Sequence, residues 1–311
     1  MLRQEAIAKS LEVPVAVVRP ASPSLLDTAK AYLALTKPRI VVLLLVTTLP
    51  AMILAGGEMP SPWLAFLTLA GGMLAAGGAN AINCYIDRDI DSMMARTRGR
   101  PLPAGAVEPE RALLFGILLG VISFQELALG VNLASAFLAL GAMAFYVFVY
   151  TMWLKRSTDQ NIVIGGAAGA MPPLVGYAAV TGGLDWAALA LFGIIFLWTP
   201  PHFWALAQRY KADYARASVP MMPVVRGDAE TNRQSLIYTV ALVACSLALI
   251  PAASMGPVYI VTASLLGVGF LAMSLRLWRN PRPSASKAVF TYSLAYLALL
   301  FVAIGVDPFV A

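Results

Sequence analysis

A chain of 311 residues that is 59% hydrophobic and 12% charged, with mean hydropathy +0.76, carries more apolar surface than a soluble fold of this size can bury. Lipid cannot satisfy open backbone groups and strand-type alternation is absent, so the predicted fold class is all-α, a polytopic membrane protein. The net charge of +6 follows membrane topology, and no nucleic-acid partner is needed to explain it.

Residues 1–31 are weakly patterned. The apolar run Val13–Val18 is too short for a signal segment, and Glu5 and Glu12 argue against a presequence. This part reads as a partly disordered cytoplasmic tail ahead of an intramembrane domain over 32–311. Nine stretches are long enough to cross a bilayer at ~20 residues each: 40–57, 62–86, 110–128, 131–153, 161–181, 186–206, 235–253, 257–277 and 288–306. They are expected to surround a central cavity open to the cytoplasmic side. Nine spans put the N-terminus and the loops 87–109, 154–160, 207–234 and 278–287 on one face. All 22 lysines and arginines fall in or beside those segments. The other face carries only acids: Glu58, Glu126, Asp185 and Asp307. Positive loops stay inside, so the N-terminus and these loops are expected in the cytoplasm and the C-terminus outside.

The first span opens on Thr36-Lys37-Pro38-Arg39, where Pro38 suits a helix start and Lys37 and Arg39 serve as anchors or ligand cations. The second is rich in small residues from Gly71 to Ala79, which let helices approach closely. It runs into Asn83-Cys84-Tyr85-Ile86-Asp87-Arg88-Asp89-Ile90-Asp91. Asn83, Asp87 and Asp91 lie at i, i+4 and i+8, drifting about 40° per step on a helix, so they share a face. Asp89 points elsewhere. Arg96, Arg98 and Arg100 follow, closed by Pro101. Carboxylates followed by an arginine cluster suit a phosphorylated ligand held through a divalent metal such as Mg²⁺. Charges at a helix end also mark a plain membrane boundary, which is the competing explanation. Cys84 and Cys245 have neither metal spacing nor a disulfide framework.

Spans three and four carry no ionisable residue in their middles and read as scaffold. The loop after them holds Lys155 and Arg156, in reach of a diphosphate, and Asn161 opens a span broken by glycines and Pro172-Pro173. The sixth span carries Pro200-Pro201, expected to bend it inward, and then His202, the only histidine. If the helix continues, His202, Arg209 and Asp213 share a face to within about 20°. A packed core histidine is the bland alternative. Spans seven to nine carry no usable motif. Arg276, Arg279, Arg282 and Lys287 in their loop suit lipid headgroups or simple anchoring.

The string Asn-x-x-x-Asp-x-x-x-Asp-x-x-x-x-Arg-x-Arg-x-Arg-Pro-Leu resembles the first aspartate-rich motif of the intramembrane aromatic prenyltransferases. Together with Thr36–Arg39, Asn161–Gly176, Pro200–Tyr214 and Val219–Val225, it is similar to one branch in particular, the heme o synthases. The second motif of the superfamily is normally Asp-x-x-x-Asp. Here Asp213 stands alone, with Arg209 and Ala217 at the positions four away, as in the heme branch. The resemblance implies transfer of farnesyl from farnesyl diphosphate to a vinyl group of heme b, with water added, giving heme o and diphosphate. It implies Mg²⁺ on Asn83, Asp87, Asp91 and Asp213, which are then the catalytic residues. Lys37, Arg39, Arg96, Arg100, Lys155, Arg156, Asn161, His202, Arg209 and Tyr214 would hold the substrates, with His202 toward heme. The bacterial inner membrane is the implied site, membrane lipids the surroundings, and a heme a synthase or a terminal-oxidase assembly factor the implied protein partner. The rivals are a quinone-precursor prenyltransferase, and a transporter with an intramembrane ion path.

Overall fold

The structure is a computed structural model, and it describes residues 24–310. The expected tail therefore lies largely outside the described residues, as does the side chain of Arg39. The described chain opens with α1 (Leu25–Leu35), capped by Ser24, whose hydroxyl accepts from the Asp27 N–H at 3.1 Å. Then come α2 (Pro38–Gly56), α3 (Pro62–Ile86), the short α4 (Arg88–Met93) and α5 (Pro109–Gly130). Helix α6 (Leu133–Ala144) passes into a π-helical run, Phe145–Leu154, and then into α7 (Lys155–Ser157). The rest are α8 (Asn161–Gly169), α9 (Met171–Thr181), α10 (Trp186–Arg209), α11 (Lys211–Arg216), α12 (Met222–Val225), α13 (Gly227–Ala253), α14 (Pro257–Arg279) and α15 (Pro283–Val306). No strand occurs among the described residues.

Eight segments among the described residues are long and apolar enough to cross a membrane, and they fall on the second to ninth predicted stretches. Helix α2, of 19 residues, covers the first. The ends are set by the chemistry of the termini. Proline opens α2, α3, α5, α14 and α15, where a missing N–H costs nothing. Gly57 ends α2 and Gly182 ends α9 in the left-handed conformation, at φ 69° and 73°. The largest difference from expectation is α13, which starts at Gly227 rather than 235 because the polar turn Asp228–Gln234 is itself helical.

Packing follows membrane rules: large apolar side chains such as Phe137, Val268 and Leu265 stay exposed on the outside, while small residues line the contacts. Helix α3 packs on α5 where Gly78 faces Gly116, so tightly that a Cβ at Gly78 would stand 2.6 Å from the Gly116 carbonyl oxygen. This is the close approach expected of the small-residue run. Hydroxyls tie the later helices together. Ser246 meets the Tyr296 hydroxyl at 2.8 Å, and Thr239 meets Ser274 at 3.0 Å. A core of α9, α10, α13, α14 and α15 side chains, including Leu191, Trp198, Leu249, Phe270 and Tyr296, fills one half of the bundle.

Candidate active site

Lys37 precedes α2, Asn83 stands in the last turn of α3, Lys155 follows the π-helical run and Asn161 opens α8, so one end of the bundle collects the charged residues. Helix α3 stops at Ile86, and Asp87 joins it to α4 at φ −87° and ψ 7°. Four-residue bonding survives the join: the Asp87 N–H donates to Asn83 O at 2.9 Å and the Asp91 N–H to Asp87 O at 2.8 Å. Asn83 and Asp87 therefore stay neighbours, with Asn83 Nδ2 donating to Asp87 Oδ2 at 2.7 Å. Both are buried, as is Asp91.

Cations neutralise these acids. Lys155 donates to Asp87 Oδ2, and Arg156 Nη2 stands 3.6 Å from Asp87 Oδ1. Lys37 donates to Asn83 Oδ1 at 2.7 Å. Its backbone is in the left-handed region at φ 53°, a conformation that persists in a lysine only where the surroundings enforce it. Burial pulls its ammonium down to about 8, and Arg100 and Lys155 push the same way. Arg100 grips both oxygens of Asp91, at 2.8 and 2.7 Å. Asp89 points outward, its side chain 56% exposed, where Arg156 takes both its oxygens at 2.7 Å. That bond holds the Asp89 carboxyl down to about 2.

Arg96 reaches across to α11 and to Tyr210, which joins it to α10. It donates to the Tyr214 hydroxyl at 2.6 Å and stacks over the Tyr210 and Tyr214 rings, 5.1 Å from each centroid. Burial raises the Tyr214 phenol above its ordinary value, so it stays protonated. Asn161 Nδ2 donates to Thr158 O at 2.7 Å and to Pro220 O at 3.3 Å, tying the loop to the Val219–Val225 run.

Two expected arrangements do not form. Helix α10 runs unbroken through Pro200-Pro201 and ends instead at Tyr210, at φ −108° and ψ 21°, so His202, Arg209 and Asp213 do not share one helical face. His202 is stacked between Trp198 (4.1 Å between centroids) and Phe290 (4.8 Å), and its Nδ1 meets Ser293 Oγ at 2.7 Å. Arg209 is exposed, and Asp213 is paired with Arg216 at 2.5 Å. Nor do Asp87, Asp91 and Asp213 gather: among the described residues no three acid, histidine or cysteine side chains come together as a metal cluster. The donor set still fits Mg²⁺ in its usual protein mode, one or two carboxylates with phosphate oxygens completing the shell. Asp87 Oδ1 and Asn161 Oδ1 are both buried without a hydrogen-bond partner, the former apt for a cation.

The scaffold reading of the fourth span missed three residues. The π-helical run brings Thr151 Oγ1 within 3.1 Å of Asn83 Nδ2, and stacks Tyr146 on Tyr150 at 5.4 Å. Thr151 in turn donates to Tyr146 O at 2.8 Å. The tyrosines stand four apart in sequence, the one signal that a polar stripe faces inward; the widened turn itself leaves no mark in composition.

Fold and site together define a class: an integral membrane protein of packed helices, with a buried, ion-paired polar site at one end. The chain belongs to the UbiA prenyltransferase family, whose sequence profile matches residues 44–302. It is 56% identical over 280 residues to protoheme IX farnesyltransferase 1 of Saccharopolyspora erythraea, covering 89% of each chain. Its fold is similar to that of a digeranylgeranylglyceryl phosphate synthase (TM-score 0.77, 17% identity, 92% of this chain and 100% of that one). It is also similar to a UbiA homologue from Archaeoglobus fulgidus solved with DMAPP and Mg²⁺ (TM-score 0.59, 19% identity, 88% and 99%).

Proposed function

We propose that this protein transfers the farnesyl group of farnesyl diphosphate to a vinyl group of heme b, with addition of water, giving heme o and diphosphate. The observation that carries the acceptor is the 56% identity, over 89% of the chain, to a protein named for farnesylation of protoheme IX. The site supports the donor. Lys37, Lys155 and Arg156 stand beside buried Asn83 and Asp87, Arg100 holds Asp91 and Arg96 holds Tyr214, a set suited to a diphosphate. Mg²⁺, bound in the family member from Archaeoglobus fulgidus, would neutralise the leaving diphosphate from Asp87 and Asn83 and assist its departure. Asp91 supports that site by fixing Arg100, and Asp213 stays with Arg216.

The residues need supply no nucleophile. Loss of the allylic diphosphate leaves a carbocation that the vinyl carbon traps, and the resulting cation takes water. The chain binds the diphosphate, orients the two substrates and keeps early water out. The orientation we propose is nine spans, with the site facing the cytoplasm in a bacterial inner membrane, in keeping with the placement of all 22 cations. Heme a synthase or an oxidase assembly factor, as the taker of the product, belongs to the same proposal. The transporter alternative loses support at the other end of the bundle. There Asp185 accepts from the Tyr177 hydroxyl at 2.6 Å and caps α10, and Asp307 accepts from the Tyr259 N–H at 2.9 Å. These acids finish helices and build no path. Incubating purified protein with heme b, farnesyl diphosphate and Mg²⁺ tests the reading: a farnesylated heme with one added water is expected by mass. Recovery of unmodified heme b alone would refute it.

A further inference from the structure

The ends of α10, α13, α14 and α15 line a partly open cavity of about 530 Å³. Arg209, Arg282 and Lys287 line it, and among the described residues none of the three has an acidic partner. The one acid in the lining, Asp228, is taken by Lys211 at 3.0 Å. Pro283 and Ser284 also line the cavity and open α15, whose N-terminus has neither a side-chain cap nor an acid in its first turn. Pro283 brings no N–H, and the Ala285 and Ser286 N–H groups donate to Arg282 O at 3.0 and 3.1 Å, so the contribution of this 24-residue helix is the positive end of its dipole. The polar floor is internally satisfied: Ser286 donates to Gln208 Oε1 at 2.8 Å and Gln208 to Asn232 Oδ1 at 2.6 Å. Leu206, Leu277 and Phe290 supply the apolar wall.

Simple boundary anchoring accounts for cations on a surface but not for a cavity between them with an apolar wall. The position is also telling. Arg209 lies over the Tyr210 ring at 5.7 Å, and Arg96 of the diphosphate site lies over the same ring at 5.1 Å. Phe290, in the cavity wall, is stacked on His202.

We propose that this cavity is a second anion site, separate from the acid-bearing one, and that it takes the carboxylate edge of the acceptor. On the function proposed above, on which this inference rests, the ligands are the two propionates of heme b. Arg209, Arg282 and Lys287 pair with the propionates, and the apolar macrocycle lies along Phe290 and Leu277. The propionate edge is then held near the membrane surface, and the vinyl edge is left for the prenyl donor. A phospholipid headgroup offers the same chemistry, an anion on an apolar body, so the test must separate the two.

The full-length protein and an Arg282→Gln/Lys287→Gln variant would be placed in phosphatidylcholine nanodiscs. Each is titrated with heme b and with heme b dimethyl ester, followed by the Soret band. The variant is expected to lose heme b affinity by roughly tenfold or more, since each charge-assisted bond removed costs about that much. Its ester affinity and its binding of labelled farnesyl diphosphate should not change. Arg209→Gln, on a different helix, should repeat the pattern should the double variant fold poorly. Unchanged heme b affinity in folded variants overturns the proposal. If those variants instead lose only retention of added phosphatidylglycerol, the cavity is a lipid site and the proposal again falls. Wild-type protein that makes farnesylated heme while the variants keep full affinity refutes the cavity assignment alone. Wild-type protein that neither binds nor modifies heme refutes the acceptor reading and this inference with it.

Discussion

Asp87 is fully buried with one carboxylate oxygen that makes no hydrogen bond, whereas Asp89, two residues on, is half exposed and held by Arg156. Asp87→Asn is therefore expected to lower turnover by roughly 10²–10³-fold, the usual effect of losing a group that stabilises developing charge. Asp89→Ala should lower it by less than about fivefold, because an exposed ion pair contributes ~1 kcal/mol at most. Initial rates on the two purified variants decide it, and a larger loss in Asp89→Ala would reverse the assignment. His202 has both ring faces covered and Nδ1 engaged, so any contact with heme iron must come through Nε2. His202→Phe keeps the stack and removes Nε2. We expect weaker heme b binding in a Soret titration, with farnesyl diphosphate binding intact. Equal heme affinity would make the imidazole a packing group only.

At the scale of elements, α3 positions Asn83 and Asp87, and it does so by lying against α5 through Gly78 and Gly116. Gly78→Leu forces a side chain where even a Cβ is 2.6 Å from a carbonyl oxygen. The expected cost is about 1–3 kcal/mol of stability, seen as a lower melting temperature in detergent, with a fall in turnover. A variant with wild-type melting behaviour would mean that the contact is not tight in the folded protein. Most of this level was legible in the sequence. Apolar runs bounded by proline and glycine marked the helices, and the small-residue stretch marked the close pair. The exceptions share a cause. The widened turn at Phe145–Leu154, the unbroken passage through Pro200-Pro201 and the break at Tyr210 depend on more than local sequence, which composition does not record. The same holds for the site. Spacing identified Asn83, Asp87 and Asp91, but not that Arg100 would claim Asp91 or Arg216 claim Asp213.

For the molecule as a whole, the proposed orientation rests on charge. Among the described residues, the lysines and arginines fall in or beside the segments expected on one face, while at the other Asp185 and Asp307 cap helices and Glu58 is exposed. With Cys84 and Cys245 replaced, single cysteines at Glu58 and at Ser157, both exposed, report the two ends. A membrane-impermeant thiol reagent added to intact cells should label Glu58→Cys at once and Ser157→Cys only after permeabilisation. The opposite pattern would invert the topology.

The cations that already sit on Asp87, Asn83 and Asp91 have a bearing on the order of assembly. A bare divalent ion approaching Asp87 meets a carboxylate whose charge Lys155 has compensated, so it gains little by displacing the ammonium. A diphosphate changes the exchange. Its oxygens offer Lys155 a new partner, which releases the Asp87 carboxylate at the moment the ion needs it. Metal and diphosphate should therefore enter as one unit, and the vacant protein should act as a poor chelator. Calorimetry with Mg²⁺ alone is expected to show binding only in the millimolar range, about −4 kcal/mol or weaker. Mg²⁺ titrated in the presence of inorganic diphosphate should bind markedly tighter; tight binding of the ion by itself would mean that the cations yield unprompted.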